Sequence, residues 1–421
     1  MELGPILRAI RRNKARFGLI AVEVALTLAV VANCLALIGD AREKMAQPSG
    51  FDDDNIVRVT STPFDQAFRE DGYLQNGLRA DLEALRHMPG VRAALSTGFL
   101  PWIGGGSSGT FKRPGGQGPE LRSQLYPADE GLIDTLGVHL VEGRQFTRDD
   151  VERDTQRLKA LFASDRPRGQ DGMPSEHYMQ DVVISKAWCE LMFGPGSCLG
   201  KMFEDGDRDL YRVIGVLDPF YNPYAWHIEK YALFYAYHSA SFEGGSAYLV
   251  RTEPGKAASL ARTIEDSLTR QNPLRTVKTQ LVTEVRHNFF GPQRAIILLM
   301  GLVAVLLVVV TGLGIVGVTS FLVTERIRQI GTRRALGARM IDIVRYFLLE
   351  NWLVTSLGIV AGVGLAIALN LALVSFASSA VLGAPTVVAG AILLWLLGLV
   401  SALVPSLRAA RTSPAVATRS V

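Results

Sequence analysis

Residues 295–323 form a run of 29 residues without a charge, and the chain then turns abruptly basic through Thr324-Glu-Arg-Ile-Arg-Gln-Ile-Gly-Thr-Arg-Arg-Ala-Leu-Gly-Ala-Arg339. At about 1.5 Å of rise per residue, roughly 20 apolar helical residues cross the hydrocarbon of a bilayer. The run therefore spans a membrane with length left for tilt. The basic segment behind it belongs on the cytoplasmic side. A soluble fold is excluded.

Three further runs repeat the signal. Phe17 to Ile38 is apolar apart from Glu23 and Asn33, Trp352 to Val374 is broken only by small hydroxyl residues and Asn370, and Val387 to Leu403 carries no charge. The fold class expected is an α-helical membrane protein with four transmembrane helices, over 17–39 and about 294–323, 343–375 and 386–405. A large mixed α+β extracytoplasmic domain, residues 40–285, lies between helices 1 and 2, and residues 286–421 hold the other three spans. Arg8, Arg11, Arg12, Lys14 and Arg16 precede the first run against Glu2 alone. The tail has Arg408, Arg411 and Arg419 without an acid, while Asp52, Asp53 and Asp54 follow the first run. Both termini and the loop 324–342 are thus expected in the cytoplasm. The net charge of +4 averages opposite compartments, and the basic clusters hug membrane ends rather than forming a groove for nucleic acid.

The first span lacks the short apolar core and small-residue cleavage site of a signal peptide, since Cys34-Leu-Ala-Leu-Ile38 is bulky there. It is expected to stay as an anchor. Ahead of it, residues 1–16 place Ile6, Leu7 and Ile10 on one helical face, which suits an amphipathic helix in the membrane surface. A simple basic topology signal explains the same residues.

The outer segment is long enough to fold by itself. Strand patterns occur at 54–60, 180–185, 210–217, 231–237 and 247–252, and helical spacing at 73–87, 151–162 and 255–270. Gly104 to Gly118 reads as a loop, and residues 148–180 as an exposed, charged insertion. Cys189 and Cys198 would share an oxidising compartment, and whether they are bonded stays open. Among eight aromatics in 220–237, Tyr221, Tyr224 and Trp226 either pack into a core or offer a surface to a partner or apolar substrate.

No catalytic chemistry is legible. Pro195-Gly-Ser-Cys-Leu-Gly-Lys-Met202 resembles a phosphate loop but has Pro195 and Met202 where Gly and Ser/Thr are required. Gly312-Leu-Gly-Ile-Val-Gly317 sits inside a span rather than after a strand. The histidines lack metal-ligand spacing, and Gly-x-Ser-x-Gly is absent. Glu23 inside span one either snorkels or pairs with an arginine of the basic loop. Gly358 and Gly362 form a small-x-x-x-small motif suited to close helix packing. Glu350 and Asn351 are expected where span three begins.

Arg326-Ile-Arg-Gln-Ile-Gly-Thr-Arg-Arg-Ala-Leu-Gly-Ala338 and Val404-Pro-Ser-Leu-Arg-Ala-Ala-Arg-Thr-Ser-Pro414 resemble the FtsX-like permease domain of MacB-type ABC transporters. Gln329 stands where many members carry Glu, and Ser406 where Ala is usual. Val182–Gly194, Leu199-Gly-Lys201 and Tyr211–Val216 are similar to the same family's outer domain. The resemblance implies a chain in the bacterial inner membrane, its large domain in the periplasm. It binds no cofactor itself, ATP and Mg belonging to a separate cytoplasmic ABC ATPase dimer. Glu325, Arg326, Gln329, Ile330, Gly331, Arg333, Arg334, Gly337 and Arg339 would couple to that ATPase, unless the arginines only set topology. A second permease, identical or related, membrane lipids, a periplasmic adaptor and an outer-membrane channel are the further partners implied. The function implied is mechanotransmission for efflux of peptides, antibiotics or other amphiphiles. Regulation of a periplasmic hydrolase and lipoprotein extraction are the alternatives.

Overall fold

The computed structural model describes residues 14–65, 71–97, 102, 107–116, 118–163, 178–218, 220, 232–237, 245–377 and 382–411. The first 13 residues of the expected surface helix, Tyr221, Tyr224, Trp226, residues 164–177 and the tail from 412 lie outside them. The chain divides into two units, Met1–Met45 with Pro292–Val421, and Ala46–Gly291.

Helix α1 (Lys14–Ala46) leads into the second unit, which contains a short 3-10 turn (Asp53–Asn55), β1 (Ile56–Pro63), α2 (Asp71–Arg86), β2 (Val91–Ser96), β3 (Ser107–Phe111), β4 (Leu121–Ala128), α3 (Leu132–Leu136) and β5 (His139–Gly143). It continues with α4 (Arg148–Ala163), β6 (Met179–Ser185), α5 (Lys186–Phe193), β7 (Met202–Glu204), β8 (Leu210–Asp218) and β9 (Ala232–Ala236). Then come β10 (Ser246–Thr252), α6 (Ala257–Gln271), β11 (Arg275–Leu281) and α7 (Val282–Phe289). The chain returns through α8 (Gly291–Glu325), α9 (Ile327–Ala335), α10 (Met340–Ala377) and α11 (Ala384–Arg411).

The α+β unit is built on two sheets. Four antiparallel strands in the order β11-β1-β10-β2 form the smaller one. Leu74, Leu78, Leu82 and Leu85 of α2 line one helical face and are buried with Ile264 and Leu268 of α6 against Val57, Val59 and Val250. Within that core Arg275 pairs with Asp81, and Tyr248 donates to the same carboxylate at 2.7 Å. The larger, mixed sheet runs β3-β4-β9-β6-β8-β5, with β7 added to β8 and parallel pairing at β4/β9 and β6/β8. Its core gathers Phe111, Trp188, Phe203 and Tyr211 beside the bonded pair Cys189–Cys198, whose Cα atoms are 6.0 Å apart.

Two expectations about this unit need correction. Gly104–Gly118 is not all loop, because Ser107–Phe111 pairs with β4 as an edge strand. Phe111 supplies the reason: its ring packs edge-on against Phe203 and Tyr211, with centroids 5.4 and 5.2 Å away, and that burial outweighs the weak strand preference of Ser and Gly. Nor is 148–180 simply exposed. In α4, Val151 and Leu158 are buried on one face and the helix packs against β9. Asp150 holds the start of α4, accepting from the Thr147 N–H at 3.0 Å, the Thr147 hydroxyl at 2.8 Å and the Arg144 guanidinium. These partners drive its carboxyl below the usual range although burial pushes the other way.

In the first unit, α1, α8, α10 and α11 are each long and apolar enough to cross a membrane. α1 is the most enclosed, with 67% of its apolar window buried against 11% for α8, so α1 forms the axis and α8 turns most of its surface outward. Phe17, Ile20, Val24 and Leu28 of α1 meet Ile315 and Leu322 of α8, Val354 and Ile359 of α10, and Leu394 of α11. α11 continues through Pro405 to Arg411, beyond the expected end at 405. Pro405 is buried, so the packing of the helix carries it past the lost backbone bond.

Candidate coupling site between the second and third spanning helices

α8 ends at Glu325, and the chain bends at Arg326 into the nine-residue α9. That short helix is held by its apolar side. Ile330 is buried with Val323 of α8, Ile343 and Phe347 of α10, and Ala409 and Ala410 of α11. Gly331 beside it is also buried. Gly337 has φ +99, a left-handed turn that glycine adopts without strain, and the chain reverses there into α10. Asp342 accepts from the Arg339 N–H at 2.9 Å while its own N–H donates to the Arg339 carbonyl, closing the first turn of α10.

Two ion pairs fasten the corner. Glu325 pairs with Arg16 at the start of α1, and the Arg16 guanidinium also lies 4.5 Å from the centroid of the Phe321 ring. Arg326 places one nitrogen 3.0 Å from both carboxylate oxygens of Glu350. The side chains are 13% and 3% exposed, so this pair is largely removed from water. Glu350 lies ten residues inside α10, buried against the bundle. Asn351 follows it inward and donates to the Gly398 carbonyl at 2.7 Å. Arg333 lies over the Tyr346 ring at 5.1 Å.

Of the predicted set, Glu325, Arg333 and Gly337 remain outward. Gln329 and Arg339 are exposed and Arg334 is half-buried, as are parts of Arg326. Leu336, at the tip beside Gly337, is 84% exposed, the most exposed large apolar side chain in the described residues. Sequence reasoning passed over Leu336, although a leucine among arginines next to a glycine turn is a legible signal. It also missed Arg16 and Glu350 as the partners that anchor the corner, because pairs 309 and 24 residues apart have no local pattern.

The intramembrane residues form separate packing contacts. Glu23 does not reach the basic loop; its carboxylate lies over Gly314 of α8, where a Cβ would come within 2.5 Å of both oxygens. Asn33 donates to the Ala29 and Ala366 carbonyls at 2.8 and 3.2 Å and accepts from Asn370 at 3.1 Å. Asn370 in turn accepts from the Leu382 N–H at 3.0 Å, tying α1, α10 and the turn into α11 together. Gly358 and Gly362 face α1, where added Cβ atoms would meet the Ala21 carbonyl at 2.7 Å and the Ala25 carbonyl at 2.9 Å. Their small-residue face is therefore filled within the chain.

In the α+β unit, the residues bordering its two ends of chain are also joined. Arg286 of α7 pairs with Asp53 at 2.7 Å, donates to the Gln47 carbonyl at 2.9 Å and stacks 5.0 Å from the Trp102 ring. Further in, Asp129 accepts from the N–H groups of Ser96 at 2.8 Å and Gly131 at 2.7 Å, so it bridges the end of β2 in one sheet and the end of β4 in the other. Complete burial and the adjacent Glu130 carboxylate push its carboxyl up to about 7, against Arg86 and those two N–H donors. Among the described residues no three His, Cys, Asp or Glu side chains are grouped to hold a metal ion.

Comparison with known proteins fits this geometry. Residues 301–414 match the family model described as FtsX-like permease C-terminal. The macrolide export ATP-binding/permease protein MacB 1/2 of Paracoccus denitrificans is 28% identical over 386 residues, covering 87% of this chain and 50% of the relative. The probable syringafactin export ATP-binding/permease protein SyfD of Pseudomonas syringae pv. tomato is 30% identical over 244 residues, covering 56% of this chain and 36% of the relative. The chain thus spans about half the length, or less, of these curated relatives. Among solved structures, the periplasmic region of MacB from Actinobacillus actinomycetemcomitans aligns with 59% of this chain and 98% of its own at 16% identity and a TM-score of 0.36. The extracellular domain of the transporter YknZ from Gram-positive bacteria aligns at 18% identity and a TM-score of 0.33, over 54% of this chain and 100% of its own. Residues 301–414 are an FtsX-like permease domain, and over most of its length the chain is a distant homologue of the MacB export ATP-binding/permease proteins.

Proposed function

We propose that this chain is the permease of a MacB-like ABC transporter and that α9 is where an ABC ATPase pushes on it. The observation that carries this reading is the corner itself. α9 is bolted to α10 and α11 through Ile330 and to Glu350 through Arg326, while Leu336 and Arg339 are presented outward beyond it. A lever needs this arrangement: a rigid attachment on one side and an apolar and cationic contact on the other. The corner lies on the cytoplasmic side, with both termini, because its arginines and those flanking the other spans obey the positive-inside rule. The α+β unit is then extracytoplasmic, in the periplasm of an inner-membrane protein.

ATP and Mg are bound by the ATPase dimer, whose closure displaces α9. Helices move as packed units, so the displacement passes along α1 and α8, which carry the chain into and out of the α+β unit. Arg286 joins Gln47 and Asp53 to α7, so both ends of that unit respond together. The transporter works as a dimer with a second permease and changes the shape of its outer domains. In that way it drives export of an amphiphile such as a peptide or antibiotic through a periplasmic adaptor and outer-membrane channel. Export is the activity named for the MacB and SyfD relatives.

The test is co-purification of the chain with the ATPase in mild detergent, comparing wild type with Leu336→Glu and Arg339→Glu. Both side chains are exposed and support no packing in the chain, so the variants fold. Loss of an interface hot spot of about 2 kcal/mol or more weakens the complex at least about thirtyfold. Retention of the complex with unchanged permease-dependent ATPase activity would remove α9 as the coupling element.

A further inference from the structure

We infer that a groove between α10 and α11 is a binding site for one acidic glycerophospholipid of the cytoplasmic leaflet. The groove has a volume of about 600 Å³ and is lined by Ile341, Val344, Leu348, Leu349, Trp352 and, from α11, Leu399, with Arg345 as its one charged residue. That volume lies within the range of about 300–1,000 Å³ usual for ligand sites. Ile341, Arg345, Leu348 and Trp352 fall at i, i+4, i+7 and i+11, so they make a single stripe along α10. Arg345 is exposed and makes no hydrogen bond, ion pair or ring contact with any described residue. A permanent cation thus stands over an apolar channel with nothing in the described chain to neutralise it.

The order of chemistry along the stripe matches the order of chemistry along a lipid. Arg345 precedes Trp352 by seven residues, or about 10 Å of helix. Trp352 begins the uncharged run of the third span and is 43% exposed, a position where tryptophan marks the edge of the hydrocarbon. Arg345 therefore stands in the headgroup layer, and Leu348 and Leu349 lie between it and the edge of the hydrocarbon marked by Trp352. A guanidinium is suited to bidentate contact with a phosphate. No carboxylate lines the groove to receive the ammonium of a zwitterionic headgroup, so an acidic lipid is favoured over a neutral one. A second protein helix fits less well, since it would bury the guanidinium unless it also brought a carboxylate.

This assignment rests on the cytoplasmic orientation proposed above, and one experiment separates the two. The full-length chain is purified from nanodiscs containing equal amounts of phosphatidylglycerol and phosphatidylethanolamine, and retained lipid is counted by native mass spectrometry. Wild type is expected to retain phosphatidylglycerol preferentially. Arg345→Gln should reduce that retention about fivefold without changing phosphatidylethanolamine. Leu348→Trp, which fills the groove, should reduce both. Equal phosphatidylglycerol retention by wild type and Arg345→Gln overturns the site, as does cross-linking between two copies through Ile341→Cys, which would show that protein covers the groove. Orientation is read separately from Leu336→Cys with a membrane-impermeant maleimide. Labelling from outside intact cells would overturn the orientation while leaving the Arg345 dependence to be judged from the mass spectra.

Discussion

The Arg326–Glu350 pair gives the sharpest handle on the corner between α8 and α9, because its two halves are unequally buried. Removing one partner of a buried ion pair costs about 3–5 kcal/mol, most of it from the charge left behind. Arg326→Gln strands Glu350, which is 3% exposed and has no other hydrogen-bond partner among the described residues, so the loss should lie in that range. Glu350→Gln strands Arg326 instead, which is 13% exposed and carries its charge on a long stem that can swing towards water. A cost of about 1–2 kcal/mol is expected there. Changing both to Gln should be less damaging than Arg326→Gln alone, since two neutral amides can bond to each other. The assay is the thermal midpoint of the detergent-solubilised full chain, where each kcal/mol moves a unit of this size by about 2–4 °C. Arg326→Gln should fall by on the order of 10 °C, Glu350→Gln by about 2–8 °C, and the double variant should lie between them. If the two single losses are equal and the double loss is their sum, the residues do not act as a buried pair and the corner is not held as described.

Two other outcomes follow from the packing. Gly358→Ala and Gly362→Ala must push α10 away from the α1 backbone and should each cost about 1–3 kcal/mol, while Gly364→Ala, with nothing within 4 Å of its added methyl, should be neutral or slightly stabilising; equal midpoints for all three would remove the close α1–α10 contact. Asp129 sets a pH dependence in the α+β unit. With its folded carboxyl pushed up to about 7, well above the ordinary carboxylate range, its contribution is fully present below the unfolded value and is lost as pH rises through 7. Stability of the full chain should therefore fall by about 2 kcal/mol from pH 5.5 to 8. Asp129→Asn should flatten that slope, and an unaltered slope would assign it to other groups.

How much of this was legible depends on the range of the interaction. The leucines of α2 at 74, 78, 82 and 85 are a local periodic signal, and all four are buried as their spacing requires. The α9 segment was also readable, since its motif and arginines lie together in sequence. β3 was not, because Ser-Ser-Gly-Thr has no strand preference of its own and takes it from Phe111 entering an aromatic core made by α5, β7 and β8. Glu23 was ambiguous for the same reason: its position along the helix is a sequence property, but the glycine it covers belongs to α8.

The sequence by itself determined the four long apolar helices and the presence of a mixed α+β segment between the first two. Hydrophobic length is additive along the chain, so it needs no knowledge of which segments meet. Only the tertiary structure decided that α1 is the buried axis, that Gly358 and Gly362 are spent on it, and that Asn33 and Asn370 bond to each other. It alone placed Leu336 at the exposed tip and left Arg345 above an apolar groove. Those are properties of pairs of distant residues, and a pairwise contact is fixed by packing in three dimensions rather than by anything either residue carries alone.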